Sequence, residues 1–179
     1  SDVCSSELLL VSVQISAWLV MPTYNEADNI IGILERVVEV KESLNTSNLS
    51  VVIVDSVSPD GTAQIAQDFI QKHNLGDNFH VIIEKKRGLG QAYDTGFNYA
   101  IEHGGDVLIQ MDSDFSHDPV YLKEMLVRAE KYSVVIGSRY VAGGKTVGWE
   151  LWRRILSFMG NFYCRTITGM PIMDCTGGF

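Results

Sequence analysis

Basic residues are scarce in this 179-residue chain. Lysine and arginine number 14 against 22 acids, giving a net charge of −8 and a pI near 4.9. That deficit excludes the broad positive footprint of a nucleic-acid-binding domain. It also opposes docking on anionic lipid, except where cations cluster, at Lys85-Lys86-Arg87 and Arg153-Arg154. Cysteine is equally thin: Cys4, Cys164 and Cys175 are odd in number and show no C-x-x-C spacing. Neither a disulfide framework nor a zinc site follows, and reduced thiols in a cytosolic compartment are the expectation. A long apolar run is missing too. The most apolar stretch, Leu8 to Met21, is 14 residues broken by Ser12, Gln14 and Ser16, short of the roughly 18 that a membrane span needs. Asp2 and Glu7 precede it where a signal peptide would be basic. A soluble chain is expected, with one domain over 1–179 and residues 1–14 as an N-terminal extension.

What is present is an alternation of strands and helices. Val11, Val13, Ile15, Ala17, Leu19 and Met21 recur every second residue, the period of a strand. VVIVD (51–55), HVIIE (80–84), DVLIQMD (106–112) and SVVIG (133–137) are short β-branched runs of the kind buried on both faces. Helical spacing fills the gaps, from about Ala27 to Glu42, after Asp60, from about Leu89 to Glu102, and from about Pro119 to Lys131. Strands separated by such helices predict an α/β fold, a mostly parallel sheet with helices on both faces. Ligands of such sheets bind at the carboxyl ends of the strands. PTYNE (22–26), Asp55, Lys85 to Gly88, Asp112-Ser113-Asp114 and Ser138-Arg139 all follow strands there.

Asp112 and Asp114 are two carboxylates one residue apart. Close carboxylates repel unless a cation lies between them, and a small set of hard oxygen donors suits Mg²⁺ or Mn²⁺. The competing reading makes one a helix cap, but Asp118-Pro119 already supplies that signal. Ser116 and His117 stand where a calcium loop needs an acidic or amide residue and a glycine. No G-x-x-x-x-G-K-[ST] loop occurs. In RGLGQA (87–92) the glycines serve close packing of helix on sheet or the approach of an anion, the former being favoured. Beyond Gly148, residues Trp149, Trp152, Ile155, Leu156, Met159, Phe162 and Tyr163 form an apolar face at helical spacing, with Arg153 and Ser157 at i, i+4. Such a helix over 148–168 either lies at a membrane surface holding a phosphate or belongs to the core.

In order along the chain, PTYNEADNI (22–30), SPDGT (58–62), RGLGQAYDTG (87–96), MDSDFSHDP (111–119), GSRYVAGG (137–144), the spaced Gly148-Trp149, Arg153-Arg154, Leu156-Ser157 and Asn161, and Asp174 with TGGF (176–179) resemble the dolichyl-phosphate (polyprenol-phosphate) mannose synthases of glycosyltransferase family 2. The likeness runs from about Leu19 to Phe179. It implies a GT-A type nucleotide-diphospho-sugar transferase fold and inverting, metal-dependent transfer of mannose from GDP-mannose to a dolichyl or polyprenyl phosphate. By the resemblance, Pro22, Tyr24 and Glu26 hold the nucleoside, while Val54, Asp55 and Ser56 line base and ribose. Asp112, Ser113 and Asp114 hold diphosphate and Mg²⁺ or Mn²⁺, the two aspartates being the metal ligands. Asp114 and Arg139 are the catalytic pair, and Arg139, Arg153 and Ser157 meet the acceptor phosphate. No strong general base is needed, because a phosphate monoester is already anionic near neutral pH, with its second pKa at about 6. His117 is expected to order the loop. The implied partners are the nucleotide sugar, the lipid phosphate and a membrane surface, with a small membrane-anchoring subunit or a C-terminal membrane region completing the assembly. The implied location is the cytosolic face of the endoplasmic reticulum or plasma membrane, and nucleic acid is not a partner.

Two departures bear on this. The family reads Asp-Asp-Gly-Ser-Pro-Asp-Gly-Thr at 55–62, whereas this chain has Ser56 and Val57 at the second and third positions. Ser56 lacks the charge of a strong acceptor, and valine resists any turn with positive φ. Family members also continue beyond the position of Phe179 with an acceptor-side loop and basic helices that complete the donor site. The chain is therefore expected to bind donor better than it turns over. The alternatives are a transferase of the same family using another donor such as UDP-glucose, a nucleotide-sugar-binding module with impaired catalysis, and a partner subunit docking through its aromatic 149–163 segment.

Overall fold

The computed structural model describes residues 15–44, 49–85, 88–141, 150–175 and 177–179, without the side chains of Arg153 and Arg154. The strand expected in the first apolar run is β1 (Ala17–Thr23); the portion of that run before residue 15 lies outside the described residues. It is followed by α1 (Ile30–Ser43), β2 (Leu49–Asp55), α2 (Thr62–Lys72), β3 (Phe79–Ile83), α3 (Leu89–Glu102) and β4 (Val107–Gln110). A 3₁₀ turn at Pro119–Tyr121 leads into α4 (Leu122–Ala129), and α5 covers Leu151–Thr168. Among the described residues four strands form one parallel sheet in the order β3-β2-β1-β4.

Alternation along β1 assigns each side chain to a face. Leu19 and Met21 pack with Ile33, Leu34 and Val37 of α1, Ala66 and Phe69 of α2, and Leu122 of α4. Trp18 and Val20 point the other way, onto Ala92 and Ala100 of α3. The period of two thus divides two buried faces rather than a core face from a wet one. Right-handed crossovers require this arrangement. The chain steps outward from β1 to β2 to β3 on one face, then returns past β1 to β4 and places α3 on the other. The reversal opens a crevice between the carboxyl ends of β1 and β4.

Gly96 permits α3 to lie close to the sheet: a Cβ there would stand 2.3 Å from Val20 Cγ1 and 3.2 Å from Val54 Cγ2. The sequence favours close packing for the glycines in RGLGQA. Instead, among the described residues nothing lies within 4 Å of a Cβ built on Gly88 or Gly90, and Gly88 serves by its φ of 102° at the cap of α3. The other correction is the fifth strand. Residues 133–137 form no ladder, and Val134 is 74% exposed. A short apolar run becomes a buried strand only where both its faces are covered, and among the described residues this segment makes its backbone bond at one point, from Gly137 N–H to Phe179 O at 2.7 Å.

Candidate functional site

The two loops that leave β1 and β2 are stitched to each other. Asp55 is 1% exposed, and its carboxylate accepts from the Thr23 hydroxyl (2.9 Å), the Ser58 N–H (2.8 Å) and the Ser58 hydroxyl (2.5 Å). Ser58 Oγ in turn accepts from Asn25 N–H at 3.1 Å. Asp60 accepts from Ala27 N–H and from both donors of Thr62, whose Oγ1 receives Glu26 N–H. The Thr62 hydroxyl is the main influence holding the Asp60 carboxyl below its ordinary range. SPDGT is therefore a clamp on PTYNE, with Asn25 in the left-handed region at φ 61°, which asparagine tolerates. Val57 sits there too, at φ 54°, where valine is strained.

The carboxylate pair leaves β4 on a loop fixed at several points. Ser113, buried, donates to Pro22 O at 3.1 Å and ties the motif to β1. His117 Nδ1 accepts from the Asp112 N–H at 3.1 Å, which assigns the ring proton to Nε2. Burial holds the His117 pKa below its ordinary value against the upward pull of Asp112 and Asp114. Its ring stacks on Phe179 with centroids 5.1 Å apart. Phe115, at φ 61°, lays its ring into the notch left by Gly32 of α1, with Arg36 across the ring 5.5 Å from its centroid. Asp118 caps the following turn, accepting from Val120 N–H. Both oxygens of Asp114 accept from Ser116.

Asp112 is also held from the opposite face of the sheet. Tyr93, on α3, donates its hydroxyl to Asp112 Oδ1 at 2.9 Å. Burial and the nearby Asp112 and Asp114 charges push the Tyr93 pKa far above its ordinary value, so it remains a neutral donor. Gly178 closes over the second oxygen. A Cβ there would stand 3.1 Å from Asp112 Oδ2 and 2.9 Å from His117 Cε1. Hard oxygens in a cradle that a methyl group would fill fit a small divalent cation. Among the described residues no three acidic, histidine or cysteine side chains gather as a complete ligand set. Mg²⁺ or Mn²⁺ held here would therefore take its remaining ligands from water or substrate.

Arg139 lies in the same neighbourhood, engaged with a partner the spacing of motifs did not reveal. Its Nε and Nη2 donate to the two oxygens of Asp174, each at 2.7 Å, and its N–H to Oδ2 at 3.1 Å. Burial raises the Asp174 pKa, but the Arg139 hydrogen bonds outweigh it and hold the carboxyl at about 2. Asn161 of α5 donates to Asp174 Oδ1 and accepts from Cys175 N–H. Ser157 accepts from the Tyr140 hydroxyl at 2.8 Å, next to Arg139. The Arg153 side chain lies outside the described residues.

The expected nucleotide-site residues divide in two. Tyr24, Glu26, Asp112, Asp114 and Arg139 keep side-chain surface at the crevice, whereas Pro22, Val54, Asp55, Ser56 and Ser113 are buried. Val54 is corrected most firmly. Its side chain is sealed in the core against α3, which leaves only its backbone to line a base or ribose. Asp55 has its carboxylate committed to the clamp. An open recess of about 520 Å³ beside β3, with Gln67, Gln71, Asn74 and Asp77 among its lining, lies at the other end of the sheet and has, among the described residues, no cationic side chain to hold a phosphate.

The α5 helix is turned opposite to a core helix. Ser157, Gly160, Asn161 and Cys164 face inward, while Leu151, Trp152, Ile155, Leu156, Phe158 and Met159 face solvent. The expected apolar face exists and is exposed among the described residues; Trp149 lies outside them. Among the described residues no helix is long and apolar enough to cross a membrane.

Known proteins resemble this chain in sequence and in fold. An undecaprenyl-phosphate mannosyltransferase of Micrococcus luteus is 38% identical over 162 residues, covering 89% of this chain and 63% of that protein. A polyprenol monophosphomannose synthase of Mycolicibacterium smegmatis is 36% identical over 163 residues, covering 90% of this chain and 59% of that protein. This chain thus spans about three-fifths of the length of these curated relatives. Among solved structures, the mannosyltransferase PcManGT from Pyrobaculum calidifontis in complex with GDP-Man and Mn²⁺ superposes with a TM-score of 0.50 at 26% identity, over 67% of this chain and 32% of that one. The fold is the α/β, GT-A type. The sequence profile of the glycosyl transferases of family 2 matches residues 18–179, and the chain belongs to that family.

Proposed function

We propose that this chain carries the donor site of a polyprenol-phosphate mannosyltransferase, moving mannose from GDP-mannose to a dolichyl or polyprenyl phosphate with inversion. The observation that carries the reading is the Asp112-Ser113-Asp114 tip. It stands at the sheet's switch point and is held by Tyr93, Pro22 and His117, with Gly178 close beside it. Its support from outside the chain is the naming of the two relatives and the GDP-Man and Mn²⁺ of the structural neighbour.

In the reaction an oxygen of the acceptor phosphate forms a bond to the sugar C1 from the face opposite the leaving group. The bond from C1 to the diphosphate oxygen breaks, and GDP leaves with the electron pair. The acceptor oxygen needs no deprotonation by the protein. Asp112 and Asp114 would hold Mg²⁺ or Mn²⁺, which would supply positive charge to offset that growing on the diphosphate. Tyr24 and Glu26 border the nucleoside on the clamped loop. Arg139 brings a guanidinium oriented by Asp174 toward the phosphates, and Ser157, with Arg153 on the same helix, meets the acceptor phosphate. The outward apolar face of α5 rests on the membrane that holds the lipid, as a peripheral contact on its cytosolic side.

Calorimetry of GDP-mannose with and without Mn²⁺ tests the donor site. The Asp114→Ala variant should lose metal-dependent binding by at least about 10-fold. Equal binding by both proteins would remove the donor site from this motif. Binding without transfer to polyprenyl phosphate would leave a nucleotide-sugar-binding module.

A further inference from the structure

Tyr93 has no role in the reaction outlined above, yet its hydroxyl makes the hydrogen bond from α3 to the cation motif. The helix reaches the motif from the face of the sheet opposite α1, and three features aim the phenol. Gly96, one turn on, lets α3 sit against Val20 and Val54 without an intervening side chain. Ala92 and Ala100 bury the same helix face. The Tyr93 ring stacks on Phe97, with centroids 5.8 Å apart and planes 22° from parallel. The hydroxyl arrives 2.9 Å from Asp112 Oδ1. The other oxygen, Oδ2, lies on the side of His117 and Gly178.

We infer that Tyr93 is a positioning residue for the divalent cation, fixing the rotation of the Asp112 carboxylate so that one oxygen is engaged by the phenol and the other is presented to the metal. The inference rests on the donor-site reading above. A carboxylate pinned by an outer hydrogen bond gives up less rotational freedom when it takes a cation. Loss of such partners typically costs 10- to 100-fold in metal affinity. Tyr93 needs no change of protonation for this and touches neither sugar nor phosphate in the argument.

The test is Mn²⁺ titrated into the protein in the presence of GDP, with free Mn²⁺ read by its electron paramagnetic resonance signal. Tyr93→Phe keeps the ring stack and removes one hydroxyl. It should weaken Mn²⁺ binding about 10-fold, with the thermal midpoint moved by no more than about 3 °C. Thr95→Ala is the control for the seating of the helix. It removes another α3 hydrogen bond, from Thr95 Oγ1 to Glu84 Oε2 at 2.7 Å, without touching Asp112, and should leave Mn²⁺ affinity unchanged. Wild-type affinity in Tyr93→Phe, with binding lost in Asp114→Ala, would overturn the role of Tyr93 and leave the donor site standing. Equal loss in Thr95→Ala would assign the effect to helix packing and overturn it as well. Undiminished binding in Asp114→Ala would overturn the donor-site reading itself.

Discussion

In the sheet half of the molecule Leu19, Ile33 and Val52 are wholly buried, whereas on α5 Leu156, Phe158 and Tyr163 are each more than three-fifths exposed. The composition of the two regions is not very different; their attachment is. The sheet and its flanking helices are driven together by apolar surface leaving water. The α5 helix is tied to its surroundings through polar contacts of Asn161 with Asp174 and Cys175 and of Ser157 with Tyr140, with Arg139 holding Asp174 in turn. A helix held by polar pins can keep its apolar side chains outward for something other than the core.

The contrast is broken most severely by paired truncations. Ile53→Ala, in the centre of β2, should cost about 3 kcal/mol, while Phe162→Ala on α5 should stay within about 0.5 kcal/mol, both read by urea unfolding. A large loss at Phe162 would mean the outward face is packed after all. Next in size is the pin itself. Asp174 is held at about 2 when folded, against an ordinary value near 4. The stability it supplies is present above pH ~4 and disappears as the pH falls through ~2, a loss of about 2 kcal/mol. Hydrogen exchange across that range should deprotect α5 before β1 and β2. A smaller effect than the loss of the pin is expected in the sheet half. Val57→Gly relieves a valine at φ 54° that is 56% exposed and packs little. After the entropy cost of glycine it should raise stability by about 1 kcal/mol, seen as a higher urea midpoint at unchanged slope.

Local order was legible in the residues, and partner choice was not. The limits of α3 at Leu89 and Glu102 follow from spacing alone, and the positions of PTYNE and Asp112-Ser113-Asp114 follow from strand ends. The 133–137 run has the composition of a strand without the coverage, which composition does not encode. The resistance of valine to positive φ was foreseeable at Val57, but not that the turn would adopt it regardless, held by Ser58 on Asp55. Tyr93 and Asp112 are 19 residues apart, and Arg139 and Asp174 are 35 apart. Such pairs are set by how the sheet and helices stack, so no motif announces them. RGLGQAYDTG displayed Tyr93 and the Asp174-to-Phe179 stretch displayed Asp174, without indicating what either holds.

Gly96 has a consequence for how still the cation motif can be. Because α3 has no side chain of its own at position 96 and rests directly on Val20 of β1 and Val54 of β2, the phenol of Tyr93 and the sheet beneath it share one frame of reference. Asp112 leaves β4, which is hydrogen-bonded directly to β1. Thermal displacements of the helix and of the carboxylate are therefore largely common to both and cancel in the distance between them. The site is carried on a surface loop, yet along this one axis it inherits the stiffness of the sheet.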